Sequence, residues 1–176
     1  VGLAAPLGLP LFLHCRAAEA AADLLGLLRE HRAALPARAP GVVHSFDGSL
    51  ADATKFIDMG FYIGINGCSL RAPESLEVVR SLPAERLLLE TDAPWCGVRP
   101  SHAGFGYVRS FWDEAKKPEK WEEGKCVRGR SEPCHILQVL EIVAGCRSED
   151  AGTLAAQVAE NTRAVFFAGR GAAGCS

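Results

Sequence analysis

Four short apolar runs, at residues 11–14, 42–46, 61–65 and 86–91, constrain the fold more than any other feature of this sequence. Each is too short for a buried helix, and none shows the strict alternation of a half-exposed strand, so strands covered on both faces are expected. Helical periodicity fills the gaps. In 17–35, Leu24, Leu25 and Leu28 point one way while Asp23, Arg29 and Glu30 point the other. In 49–59, Ser49 and Asp52 are placed like a capping pair, with Gly60 just past the end. A further helix opens at Pro73, and two more are expected at 133–147 and 150–167. Strands alternating with helices predict an α/β fold with a parallel sheet of βαβ units, either open or barrelled.

Length then limits the choice. The chain has 176 residues, whereas a complete eight-stranded βα barrel takes about 250, with 200 near the lower limit. The chain opens on Val1 rather than Met, which reads as part of a longer protein. Apolar residues are 48% and charged residues 23% of the chain, a globular composition that excludes collagen and a disordered polyanion. With 19 basic and 21 acidic residues the net charge is −2, so no global field draws in nucleic acid or an anionic membrane. The uncharged stretch 1–15 is shorter than the roughly 20 residues that span a bilayer. Pro6 and Pro10 also interrupt it, and it reads as a buried strand. No membrane partner is expected. Seven cysteines without a C-x-x-C pair read as reduced thiols of an intracellular protein and not as a zinc ribbon. Cys15, Cys68, Cys96 and Cys134 are expected to be buried packing thiols. One domain over 1–167 and a disordered tail at 168–176 follow. The G-x-G-x-x-G match at Gly169, Gly171 and Gly174 comes after a helix and is not a dinucleotide-binding turn.

Chemistry gathers at the ends of the runs, where active sites of parallel α/β sheets form. Three of the four end in a metal-competent side chain: His14, His44 and Asp92. Imidazole and carboxylate together suit zinc, manganese or magnesium, and such a site activates water. Glu90, two residues before Asp92, either orients a ligand or water or is a buried glutamate paired with a cation. Arg16, two residues after His14, is either a phosphate clamp or a surface arginine at a helix start. The long segment 93–131 reads as irregular and substrate-facing. Between Arg99 and Arg130 it carries eight basic and five acidic residues together with Phe105, Tyr107, Phe111, Trp112 and Trp121, a mixture that suits single-stranded backbone and stacked bases. His102 within it is either a phosphate contact or an idle loop histidine. His31 is expected to face solvent and His135 to be a core or capping residue.

These residues carry a resemblance. Leu13-His14-Cys15-Arg16, Val43-His44-Ser45-Phe46-Asp47-Gly48, Gly60-Phe61-Tyr62-Ile63-Gly64-Ile65-Asn66-Gly67 and Glu90-Thr91-Asp92-Ala93-Pro94-Trp95 resemble successive signatures of the TatD-type deoxyribonucleases. Cys68, Trp95-Cys96-Gly97 and Glu132-Pro133-Cys134-His135-Ile136 resemble the eukaryotic members. The likeness spans about residues 7–167. It implies a partial TIM-like (β/α)8 barrel of the amidohydrolase type, made of the last four βα units plus C-terminal helices. The implied activity is a divalent-metal-dependent deoxyribonuclease, an exonuclease acting on single-stranded DNA or a 3′ end, without an organic cofactor, in the nucleus or cytoplasm. By position, His14 and His44 match ligands of one metal ion. Asp92 matches the ligand of the second and the residue that positions or deprotonates the attacking water, with Glu90 beside it as a catalytic carboxylate. Arg16, His102, Arg130 and Glu132 are the candidate phosphate and substrate contacts.

The match has gaps. The family's first-strand His-x-His pair and its bridging glutamate fall before the position matched by Val1. Where the family commonly reads Arg-Asn-Glu-Pro, this chain has Arg130-Ser131-Glu132-Pro133, leaving Ser131 to cap the helix that follows. Two other readings stay open: a metal-dependent amide, ester or lactone hydrolase of the same broad group, and a non-catalytic fragment or isoform.

Overall fold

A computed structural model describes residues 1–36 and 39–168. In chain order the elements are α1 (Ala4–Leu7), β1 (Leu11–His14), α2 (Ala18–Glu30), β2 (Gly41–His44), α3 (Leu50–Asp58), β3 (Tyr62–Ile65), α4 (Pro73–Ser81), β4 (Leu87–Leu89), β5 (Glu114–Ala115), β6 (Cys126–Val127), α5 (Ile136–Arg147) and α6 (Ala151–Phe166). Strands β1 to β4 form one sheet in sequence order, every neighbouring pair parallel. Parallel neighbours need a crossover, and α2, α3 and α4 supply one after each of the first three strands. The parallel pairing is that expected from the alternation of runs and helices, and the consecutive order belongs to the barrelled of the two alternatives. The sheet is open, since β1 and β4 are paired on one side only among the described residues. It is an arc of an α/β barrel, as the TIM-like expectation required.

Two layers make the core. One face of the sheet packs Leu13, Val43, Ile63 and Leu87 against Leu25 and Leu28 of α2, Phe56 of α3, Val79 of α4 and Ile142 of α5. The other face, the inside of the arc, holds a smaller cluster of Val42, Tyr62 and Leu88 closed by Val165 of α6. Strands β2 and β3 are covered on both sides as expected, but β1 alternates, and Phe12 is 60% exposed on the open face.

Local chemistry sets the boundaries. Ser49 Oγ accepts the Asp52 amide and opens α3, confirming the expected cap. Gly60, at φ 90°, follows that helix. The second strand stops at His44 because Ser45 turns to φ 51°. The fourth is shorter than its apolar run, and Asp92 turns to φ 54° just beyond it. The uncharged stretch 1–15 is not one buried strand. Its first half is the turn α1, ended by Gly8 at φ 61°, with Leu3 and Leu7 exposed. Prolines at 6 and 10 cannot donate to a ladder, so lack of charge there did not mean burial. The 17–35 helix ends at Glu30, followed by a 3₁₀ turn at Arg32–Ala34. No helix among the described residues is long and apolar enough to cross a membrane. The expected tail and its glycine match, at 169–176, lie outside the described residues.

Segment 93–131 has structure the sequence did not announce. Strands β5 and β6 pair in parallel through Glu114↔Cys126 and Ala115↔Val127, and Ala103–Tyr107 forms a 3₁₀ turn against α5. Glu141 of α5 anchors its middle: its carboxylate accepts the Arg109 and Ser110 amides at 2.7 and 3.0 Å and the Ser110 hydroxyl. Burial pushes the Glu141 carboxyl up, but these donors together outweigh it and hold it below its ordinary value. A depressed folded value contributes stability above the unfolded value and loses it as pH falls. Glu141→Gln is therefore expected to melt lower than the parent at neutral pH. That gap should close as pH drops below about 4.5, the unperturbed glutamate value. Thermal melts of both proteins across pH measure it, and a gap independent of pH would refute the charge argument.

Candidate functional site

Register and pleat decide which polar side chains meet. His14 lies opposite His44, Val42 opposite Tyr62, and Gly64 opposite Leu88. With a period of two, His14, His44, Gly64 and Glu90 share the inner face at the carboxyl ends of the strands. The Glu90 amide still bonds to the Ile65 carbonyl, which carries the ladder past β4.

His14 Nδ1 faces His44 Nε2 at 3.0 Å, and Phe12 stacks on the His44 ring. His44 Nδ1 lies 3.6 Å from Glu90 Oε1, which also accepts the Ser45 amide at 2.5 Å. Beneath them Asn66, fully buried, donates to Ser45 Oγ at 2.9 Å and approaches Glu90 Oε1 at 3.5 Å. Its carbonyl oxygen caps the following turn through the Cys68 and Ser69 amides. Gly64 makes room: a Cβ there would sit 3.0 Å from Glu90 Oε2 and 3.1 Å from His44 Cα. Burial, aided by the Asp92 charge and opposed by the Ser45 amide, pushes the Glu90 carboxyl up to about 7. Burial likewise lowers the His44 imidazole, the Asp92 charge opposing and the Arg16 charge adding.

Asp92 stands on the loop after β4, one carboxylate oxygen 3.3 Å from Cys96 Sγ, and its charge acts on both His44 and Glu90. Its φ of 54° is in the left-handed region that aspartate and asparagine tolerate best among side-chain-bearing residues. Two imidazole nitrogens on one tetrahedral cation sit about 3.3 Å apart, near the separation found here. Imidazole nitrogens with flanking carboxylates are a donor set for zinc, manganese or magnesium-type ions. The residues present fit a divalent cation.

Around this group the other expected contacts divide. Arg16 is exposed at the mouth, its Nε 3.6 Å from Asp47. Arg130 lines a cleft of about 690 Å³ together with Trp95, Arg99, Phe111, Arg128 and His135. Trp95 and Phe111 are mostly exposed there. His102 turns into its own loop. It is buried, accepts the Arg99 amide and bonds to the Gly67 backbone, bracing the loop after Asp92. Glu132 is used locally: it accepts the Val127 amide at 3.0 Å and forms a capping box with His135. That makes Glu132, not Ser131, the cap of this helix entrance. The Ser131 amide instead donates to the Pro94 carbonyl, tying the end of the insertion to the Asp92 loop. His31 is exposed and His135 caps, as expected.

The expected reduced, buried thiols are not found at Cys68, Cys96 or Cys134. Cys68 and Cys96 are bridged, with Cα atoms 5.0 Å apart. Cys134 is only half-buried. The bridge follows from a close backbone approach, because a Cβ on Gly67 would come within 2.1 Å of the Cys96 carbonyl oxygen. A pairing created by tertiary contact between residues 28 apart leaves no spacing signature. The same absence of signature hid the Ser45–Asn66 support of Glu90, although Asn66 stands just past a strand end.

Comparison with known proteins agrees with this architecture. The family model for TatD related DNase matches residues 1–167. Deoxyribonuclease Tat-D of Schizosaccharomyces pombe is 48% identical over 156 residues, covering 88% of this chain and 48% of that protein. The 3′-5′ ssDNA/RNA exonuclease TatD of Erwinia tasmaniensis is 37% identical over 169 residues, 94% of this chain and 55% of that one. The crystal structure of a TatD family hydrolase from Entamoeba histolytica superposes with a TM-score of 0.81 at 33% identity, over 92% of this chain and 52% of that chain. This chain spans about half the length of the curated relatives it matches. Family model, sequence identity and superposition agree with one another, and the chain belongs to the TatD-related DNase family.

Proposed function

We propose that this chain carries half of the active site of a divalent-metal-dependent deoxyribonuclease that hydrolyses single-stranded DNA from a 3′ end. The meeting of His14, His44 and Glu90 on the inner face, with the Asp92 charge acting on His44 and Glu90 from the loop beyond, carries the reading. His14 and His44 would hold one divalent ion and Asp92 a second, the remaining ligands coming from outside residues 1–176. Bound there, divalent ions lower the pKa of water and stabilise charge on the phosphate. Glu90 orients His44 through Nδ1, leaving Nε2 for the cation, as carboxylates commonly do behind a ligating histidine. Asp92 would position the attacking water and accept its proton. Arg16 clamps phosphate oxygens at the mouth. Arg128 and Arg130 follow the backbone along the cleft, where Trp95 and Phe111 offer stacking faces to bases.

The test is hydrolysis of a 5′-labelled single-stranded oligonucleotide by the purified full-length protein, with and without magnesium or manganese. His44→Ala is expected to lose more than about 100-fold, the upper cost of removing a residue that merely supports a ligand. Activity that ignores metal, or survives in His44→Ala, would refute the site. Turnover of a lactone in place of DNA would move the substrate class to the broader hydrolase group.

A further inference from the structure

A second constellation lies outside the strand-end group. Cys126, Cys134 and His135 present ligand atoms that all fall within 4.8 Å of one another. The two sulfurs are 3.7 Å apart. Two thiolates on one tetrahedral zinc, each at about 2.3 Å, lie about 3.8 Å from each other. A third polar group is already in place, since the Glu132 carboxylate, which accepts the Val127 amide, also bonds to the Cys126 thiol. His135 Nδ1 accepts the Glu132 amide at 2.8 Å, so that nitrogen carries a lone pair and no proton. The Trp112 ring stands edge-on to the imidazole, 4.8 Å away between centroids, and limits how it can turn.

The surroundings explain why a clamp belongs here. Strands β5 and β6 pair over two residues each, and an isolated pair of that length does not hold together in water. Cys126 is in β6, while Cys134 and His135 are in the turn that enters α5. Linking them ties the small ladder to the helical layer. It also sets one wall of the cleft, because Arg128, Arg130 and His135 line it.

We propose that Cys126, Cys134 and His135 form a structural site for a soft d¹⁰ divalent cation of the zinc type, with the fourth position beside Glu132. Cation uptake exchanges the thiol protons for sulfur–metal bonds, and the lone pair of His135 exchanges its amide hydrogen bond for the third. The spacing of the cysteines is not that of a ribbon, and the site forms only because the turn before α5 returns to β6. It stands independently of the nuclease reading.

Cobalt(II) loading of the chelator-stripped protein, its Cys68–Cys96 bridge left intact, tests it. A thiolate-to-cobalt charge-transfer band in the near ultraviolet is expected, which the sulfur-free group at His14, His44 and Asp92 cannot produce. The band should vanish in Cys126→Ser/Cys134→Ser and persist in His44→Ala. Zinc content of the double variant should fall by one equivalent. X-ray absorption at the zinc edge of the unmutated protein needs no variant to fold, and two sulfur scatterers at about 2.3 Å are expected. Absence of sulfur from the zinc shell, persistence of the band in the double variant, or a native Cys126–Cys134 disulfide by mass spectrometry would overturn the proposal.

Discussion

Asp92→Asn is expected to lower metal-stimulated DNA hydrolysis about 10²–10⁴-fold, the range a positioned acid–base group contributes, while the folded protein melts as before. Asparagine is the informative replacement. It tolerates the left-handed backbone that Asp92 adopts at φ 54° and keeps the size of the side chain. It lacks the negative charge that acts on His44 and Glu90. Alanine would add backbone strain and confuse the two effects. Steady-state hydrolysis of the same labelled oligonucleotide, with kcat and KM separated, gives the answer. A loss in kcat is expected. Full activity in Asp92→Asn would remove Asp92 from the machinery.

Phe56→Ala is expected to cost about 3–5 kcal/mol, the range for deleting a buried phenylalanine ring. For a chain of this size that corresponds to a fall of roughly 6–20 °C in Tm. Phe56 is fully buried on α3, in the layer that presses the helices onto Val43 and Ile63. A cavity there loosens β2, and with it His44, so activity should fall along with stability. Leu27→Ala, at a site 53% exposed on α2, is the control and should stay within about 0.5 kcal/mol. Urea titration of the three proteins decides the matter, and equal stability of Phe56→Ala and its parent would show that the layer is not packed as described.

The group at the strand ends was legible in the sequence because the pleat has a fixed period. His14, His44 and Asp92 each stand at the end of an apolar run, and parallel strands deliver their ends to one rim. Asp92 lies beyond the regular strand, but the ladder bond at Glu90 still holds it at that rim. Arg130 stands out in the sequence through its basic, aromatic surroundings, and it is one of the residues that line the cleft. His102 and Glu132 show the limit. A polar residue in an irregular segment can be spent on its own backbone, and only the packed loop reveals that His102 braces Gly67 or that Glu132 caps the turn to His135.

By itself the sequence determined the four strands of the main sheet, their parallel pairing, the helix cap at Ser49, the helix start at Pro73, and three of the groups gathered at the strand ends. All of these follow from periodicity or from contacts a few residues apart. Tertiary structure alone decided the rest: the Cys68–Cys96 bridge, the Asn66 and Ser45 support under Glu90, the bare Gly64 that admits its carboxylate, and the Cys126, Cys134 and His135 cluster. Each depends on backbone approach between segments that are distant in sequence or meet through an irregular turn. No local pattern records such an approach, because it is set by how the helical layer and the sheet close on each other.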